Sequence, residues 1–206
     1  MSSWTKRWKD EIKEHKKLLI LAILFFIIAN ILNYTAGTYV DKKTSFAVSD
    51  IILDHIPIID LGFIFIWGYI VVFIIAFLYP LFFKVNKLHI VLSQFSLLVL
   101  IRSFFISLTH LGLPADAIIY ETPKFFAFLD FKNALFFSGH TAIPFLAFLI
   151  FRKEKIGIFF LIMTFVLAVT VLFMHIHYSI DVFAAFFITY GSFKVGEWLF
   201  KEMNHY

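Results

Sequence analysis

Three short stretches of this chain hold residue types that can do chemistry. They are Ser138-Gly139-His140-Thr141, His175-Ile176-His177-Tyr178-Ser179-Ile180-Asp181, and Arg102, alone in an apolar run. His177 and Asp181 are four apart, so on a helix they share a face. The carboxylate can then hold one ring nitrogen and leave the other as a nucleophile or base. Ser138-Gly139 can open a helix whose free N–H groups and positive dipole end suit an anion. Glycine there lets a phosphate come close to the backbone. Pro144 is cheapest in a first turn and agrees with a helix start near His140. Arg102 can fork onto two phosphate oxygens, and His140 can protonate a departing alkoxide. The set amounts to a phosphoryl-transfer site that calls for no metal and no other cofactor.

Each part also has a plainer reading. Ser-Gly-His can simply start a helix, His-x-x-x-Asp can be a structural hydrogen bond, and Arg102 can staple neighbouring helices. What favours chemistry is coincidence, since three unrelated polar groups fall toward one membrane face of a greasy chain. His175-x-His177 is no metal pair on a helix, because i, i+2 spacing separates the two rings. His110, Asp50, Asp54 and Glu121 read as ordinary interface residues. The 30 phenylalanines read as lipid-facing and packing residues.

The elements that must position these groups are membrane helices. Of the 206 residues 61% are hydrophobic and only 16% charged, with a mean hydropathy of +0.89. Soluble domains run at ~45–50% apolar and ~25% charged. A soluble globule of this size cannot hide so much apolar surface, so lipid is the solvent for most of it. That excludes a soluble enzyme, a disordered chain and a nucleic-acid binder. With no cysteine there is no disulfide framework and no thiolate metal site.

Runs long enough to cross a bilayer are Leu18–Val40, Leu61–Phe83, Leu88 to about Leu111, Asn133–Phe151, Ile156 to about His175, and Asp181–Phe200. The first is too long for a cleaved signal. Residues 1–17 form a charged interfacial segment, and 18–206 one membrane domain. Thirteen cations lie on one side: Lys6, Arg7, Lys9, Lys13, Lys16, Lys17, Lys84, Lys87, Arg152, Lys153, Lys155, Lys194 and Lys201. Four lie on the other: Lys42, Lys43, Lys124 and Lys132. The positive-inside rule puts both termini in the cytoplasm and all three polar stretches near the outer face.

At these residues the chain resembles the sphingomyelin synthase branch of the type 2 phosphatidic acid phosphatase (PAP2) superfamily. Phe137-Ser138-Gly139-His140-Thr141 is similar to that branch's first catalytic signature. His177-Tyr178-Ser179-Ile180-Asp181-Val182, with Ala185 and Ile188-Thr189, is similar to its second. Arg102 and Thr109, followed by Leu113-Pro114, resemble a third motif, and Asp50 to Pro57 loosely resembles the loop after the first span. The resemblance implies an all-α integral membrane protein, a six-transmembrane helical bundle. It implies a catalytic triad of His140, His177 and Asp181, with Arg102, Ser138, Gly139, Thr141 and Tyr178 as phosphate- and substrate-binding residues. The implied partners are membrane lipids: a phospholipid donor and a lipid alcohol acceptor such as ceramide or diacylglycerol. The implied place is a bacterial-type cytoplasmic membrane.

Departures bear on which reaction. Asn133-Ala134 stands where the family has Gly-Asp, and Val99 where it has a tyrosine. The hydrolytic branch's Lys-x6-Arg-Pro motif is absent, as is its Ser-Arg before the second histidine, which favours transfer over hydrolysis. A PAP2-type phosphatase and a non-catalytic scaffold or transporter stand as the alternatives, the latter encouraged by Ala134.

Overall fold

The computed structural model of the chain describes residues 3–43, 45–119, 131 and 133–201. Glu121, Lys124 and Lys132, assigned above to the outer loops, lie outside these. Among the described residues seven α-helices follow in order: α1 (Ser3–Glu14), α2 (Lys16–Asp41), α3 (Tyr69–Phe83), α4 (Leu88–Leu108), α5 (Gly139–Phe151), α6 (Lys155–Phe173) and α7 (Ser179–Leu199). A π-helical turn, Ile64–Gly68, leads directly into α3. Among the described residues there is no strand, only a bridge between Phe46 and Leu111.

Among the described residues four stretches are long and apolar enough to cross a membrane: Lys16–Asp41, Ile64–Phe83, Val85–Leu108 and Lys155–Phe173. They make this a multi-pass membrane protein. The other two expected spans differ. α5 has 13 residues, about 20 Å at 1.5 Å per residue, against a hydrocarbon core of about 30 Å. It starts at Gly139, not Asn133, because the preceding backbone is held by other segments. Arg102 donates to the carbonyls of Ala134 and Phe137, and the Ser138 N–H donates to the carbonyl of Asp181. Irregular backbone at membrane depth survives where protein satisfies it in this way. α7 is long enough at 21 residues but carries Asp181, Lys194 and Glu197 and is not among the four.

α2 packs chiefly on α4, and its buried residues are Ala22, Ala29, Asn33, Gly37 and Val40. Its other face, including Leu21, Leu24, Ile28 and Ile31, is exposed, as suits a helix wetted by lipid. α5 is the central helix, with Ala142, Leu146, Ala147 and Phe151 buried against its neighbours. α7 approaches α4 closely because Gly196 has no Cβ; one built there would collide with the Gln94 amide. Chain direction alternates through the bundle. The C-terminal ends of α2, α4 and α6 therefore meet the N-terminal ends of α5 and α7, and all the polar stretches gather there.

At the opposite end α1 is pinned by Trp8 Nε1, which donates to the Leu81 carbonyl at 2.8 Å. Lys87 Nζ pairs with Glu154 at 2.8 Å, and the Tyr79 hydroxyl donates to the same carboxylate at 2.6 Å.

Candidate functional site

His177 lies in the turn before α7, not on the helix. Asp181 occupies the third helical position, and its Oδ2 accepts the Tyr178 N–H at 3.0 Å. The same oxygen stands 3.3 Å from His177 Nδ1. The i, i+4 pair expected on a helix face is thus made by a helix cap: one fully buried carboxylate closes the first turn and faces the histidine. With Nδ1 turned to Asp181, the free nitrogen of the ring is Nε2.

The turn is held from outside by a residue that sequence reasoning took for an ordinary interface group. Asp50 Oδ2 accepts the backbone N–H of Ser179 at 2.7 Å and its hydroxyl at 2.8 Å. Asp50 Oδ1 accepts the N–H groups of Ile52 and Leu53 at 2.9 and 3.2 Å. Burial works to raise the Asp50 carboxyl, but the bonds from Ser179, Ile52 and Leu53 outweigh it and hold it below its usual range. The signal was the Asp50–Pro57 stretch of the family resemblance, which carried no hint of its partner.

His175 turns the other way. It sits at φ 52°, in the left-handed region, where histidine is uncommon but tolerated. Its Nδ1 is 3.0 Å from Asp116 Oδ2 in the loop after α4. The two histidines of the His-x-His thus serve different carboxylates. Among the described residues no three His, Asp or Glu side chains are grouped so as to hold a metal ion.

The second polar stretch is stitched to the first. The Ser138 N–H donates to the Asp181 carbonyl at 3.1 Å, and Ala142 N–H to the Ser138 carbonyl at 3.0 Å opens α5. The N–H groups of the first turn have no intrahelical acceptor. Arg102 lies beside them: a Cβ on Gly139 would sit 3.7 Å from Arg102 Nε. Arg102 does act as a staple, donating to Phe137 and Ala134. Among the described residues two of its five N–H donors are used in this way, and the rest remain for an anion.

His140 is clamped between aromatic rings. Its ring stacks on Phe65 at 4.0 Å between centroids and lies 4.2 Å from Tyr69. These two rings fix its orientation and cover its faces. Sequence reasoning missed them; their spacing of four, at the start of the second span, was the only available signal.

A cavity of about 390 Å³ joins these groups. Arg102, Gly139, His140 and His177 line it, with mostly apolar walls from α2 to α5 and a roof from the loop after α4. Its volume suits a small-molecule site. The other expected residues stand off. Asp181 lies behind His177. Ser138 and Thr141 are fully buried, their hydroxyls without partners among the described residues, and neither lines the cavity. Tyr178 does not line it either; its hydroxyl donates to the Gly112 carbonyl at 3.0 Å and accepts the Val48 N–H at 3.1 Å. It ties the loops after α2 and α4 to the turn.

Residues 133–198 match the family described as PAP2 superfamily C-terminal. The matched PAP2 stretch runs from just before α5 almost to the end of α7 and holds His140, His177 and Asp181. Arg102, Asp50 and the aromatic clamp lie outside it. No curated protein and no solved structure matches the chain.

Proposed function

We propose that this protein is a PAP2-type membrane enzyme that moves a phosphate-bearing head group from a phospholipid donor to a lipid alcohol, ceramide or diacylglycerol. The observation that carries this reading is His177, held by Asp181 and lining one cavity with His140, Arg102 and Gly139. The PAP2 match supports phosphatase or phosphotransferase chemistry on lipids. The sphingomyelin synthase-like signatures favour transfer.

In this reading the phosphate lies on the free N–H groups of α5 and the remaining donors of Arg102. His177 Nε2 gives its lone pair to phosphorus, and the bond from phosphorus to the lipid oxygen breaks. Protonated His140 gives its proton to that oxygen, and a neutral lipid alcohol leaves. The acceptor alcohol then returns a proton to His140 as its oxygen attacks phosphorus. The phosphorus–nitrogen bond breaks and His177 is restored. Asp181 orients His177 and stabilises its cationic form. The chain spans six times, with both termini cytoplasmic and the site at the outer leaflet of a bacterial-type cytoplasmic membrane. The basic clusters at the end remote from the cavity support that orientation.

The test is mass spectrometry of products from vesicles holding purified protein and a labelled phospholipid, with and without an added lipid alcohol. Transfer gives a head-group-bearing product that depends on the alcohol. Release of phosphate indifferent to the alcohol makes the protein a phosphatase. Equal inactivity of wild type and His177→Ala across diverse lipids overturns the enzyme.

A further inference from the structure

The cavity reaches below the histidines to two asparagines on α2. Asn33 and Asn30 both line it. Asn33 is 9% exposed and lies beside the α4 backbone at Ser103, whose hydroxyl approaches its Oδ1 at 3.4 Å, while the Arg102 guanidinium reaches away to Ala134 and Phe137 before α5. Asn30 lies nearly one helical turn deeper, about 5 Å. Beyond it the walls are apolar, formed by Phe26, Phe73 and Phe95.

Each amide has one pole without a partner among the described residues. Asn30 Nδ2 donates to the Phe26 carbonyl at 2.8 Å, leaving its Oδ1 free. Asn33 Oδ1 has the long contact from Ser103, leaving its Nδ2 without an acceptor. Unpaired amide groups at membrane depth cost free energy. Gluing α2 to α4 does not account for them, because a 3.4 Å contact is at the limit of a hydrogen bond and leaves the better donor unused. A ligand that brings a polar group to this level does account for them.

We infer that Asn33, backed by Asn30, is a subsite for the linkage region of a lipid: its Nδ2 donates to an acyl carbonyl one turn below the phosphate. The inference rests on the proposed function, in that the cavity takes a lipid phosphate. A phosphate at Arg102 and the start of α5 places the ester carbonyls of its glycerol backbone a few bonds lower, beside Asn33. The tails then continue along Phe26, Phe73 and Phe95. Asn30 Oδ1, nearly a turn deeper, supplies an acceptor for the hydrogen of a hydroxyl or a water. The pair therefore selects lipids by how their chains are joined, separately from the head group.

The test is equilibrium binding to the full-length His177→Ala protein in nanodiscs, where no turnover blurs the measurement. The probes are diacyl phosphatidic acid and its dialkyl ether analogue with equal chain lengths. The expected preference for the ester is about fivefold, the worth of one neutral hydrogen bond. Adding Asn33→Ala, a small residue like its neighbours Ala29 and Gly37, brings the ratio to about one and leaves ether binding within about twofold. Adding Asn33→Ser instead keeps an O–H donor and part of the preference, and serves if the alanine variant fails to fold. An ester preference that survives Asn33→Ala, or equal loss of both lipids, overturns the subsite and makes Asn33 a packing residue. If wild type turns over no lipid while the preference still vanishes with Asn33, the subsite stands and the proposed chemistry falls. Turnover without any ester preference has the opposite meaning.

Discussion

The two ends of the bundle handle their polar groups in opposite ways. At the basic end the pairs join one charged or polar group to another, although His15 Nε2 is buried there without a partner among the described residues. Lys87 and Tyr79 share Glu154, Trp8 caps a free carbonyl of α3, and Arg152 and Lys194 flank Glu197 at 3.7 and 2.6 Å. At the cavity end Ser138, Thr141 and one oxygen of Asp181 are buried without partners among the described residues. The turn carrying His177 is held by Asp50, Asp181 and Tyr178. A region that spends buried carboxylates on positioning one imidazole is arranged for something other than stability. At the basic end the paired charges fasten neighbouring segments to one another. Substitutions at the two ends should therefore separate activity from stability.

The largest expected effect is Asp181→Asn. The amide retains an oxygen for the Tyr178 N–H, so α7 stays capped. It removes the negative charge facing His177 and can favour the wrong tautomer. Turnover should fall by about 10³–10⁴, in line with the loss of a histidine-orienting carboxylate elsewhere. Thermal unfolding should move far less. Single-turnover kinetics on a labelled phospholipid measure the first and a melting curve the second. Near-normal turnover by Asp181→Asn would remove the carboxylate from the mechanism.

Asp50→Asn should cost less and act on both quantities. It weakens two charge-assisted bonds to Ser179, worth roughly 1–3 kcal/mol in stability, and loosens the turn under His177. A turnover loss of about tenfold is expected. The sign of the pH effect follows from the depressed carboxyl. Its contribution is complete above the ordinary value of 3.8 and fades only as pH falls through the lower folded value. An activity loss nearer neutrality must therefore come from another group, and the Asp50→Asn profile should run parallel to wild type there. A profile that changes shape near neutral pH would contradict this assignment.

What sequence carried and what it did not divide along the same line. The bilayer demands long apolar runs, so α2, α3, α4 and α6 were legible from composition alone. The start of α5 was not, because apolarity continues through Ala134–Phe137 while Arg102 and Asp181 hold that backbone out of the helix. Spacing found His177 and Asp181, although a cap brings them together and not a shared helix face. Arg102 was open between staple and phosphate ligand; it is a staple with donors to spare. The Asp50–Ser179 bonds join residues 129 apart in sequence, and the Phe65–His140 stack joins two different segments. Such contacts depend on how helices pack, which no local pattern encodes.

At the basic end Glu154→Gln should change stability and leave chemistry alone. Burial works to raise the Glu154 carboxyl, but bonds from Lys87 and Tyr79 outweigh it and hold it below the usual carboxylate range. A depressed carboxyl stabilises above its ordinary value of 4.5 and loses that contribution as pH falls through the folded value. The variant should therefore melt below wild type at neutral pH, by roughly 1–2 kcal/mol, and the gap should close in acid. Turnover should remain within about twofold. A tenfold fall would tie the two ends together and break the contrast.

The smallest effect belongs to Lys194, and it fixes which end is which. Its Nζ pairs with Glu197 at 2.6 Å, but the two side chains are 46% and 37% exposed. Such a pair is worth under about 0.5 kcal/mol and less in salt. Glu197 also keeps Arg152 at 3.7 Å when the lysine is gone. Lys194→Cys should then fold and turn over like wild type. Because the chain has no cysteine of its own, this thiol is a unique label. A membrane-impermeant maleimide should reach it only from the cytoplasmic side. Val48→Cys, at an exposed position in the cavity-end loop, should react only from outside. The reverse pattern would keep every contact described here and invert the protein in its membrane, placing the histidine site at the inner leaflet and its lipid substrates with it.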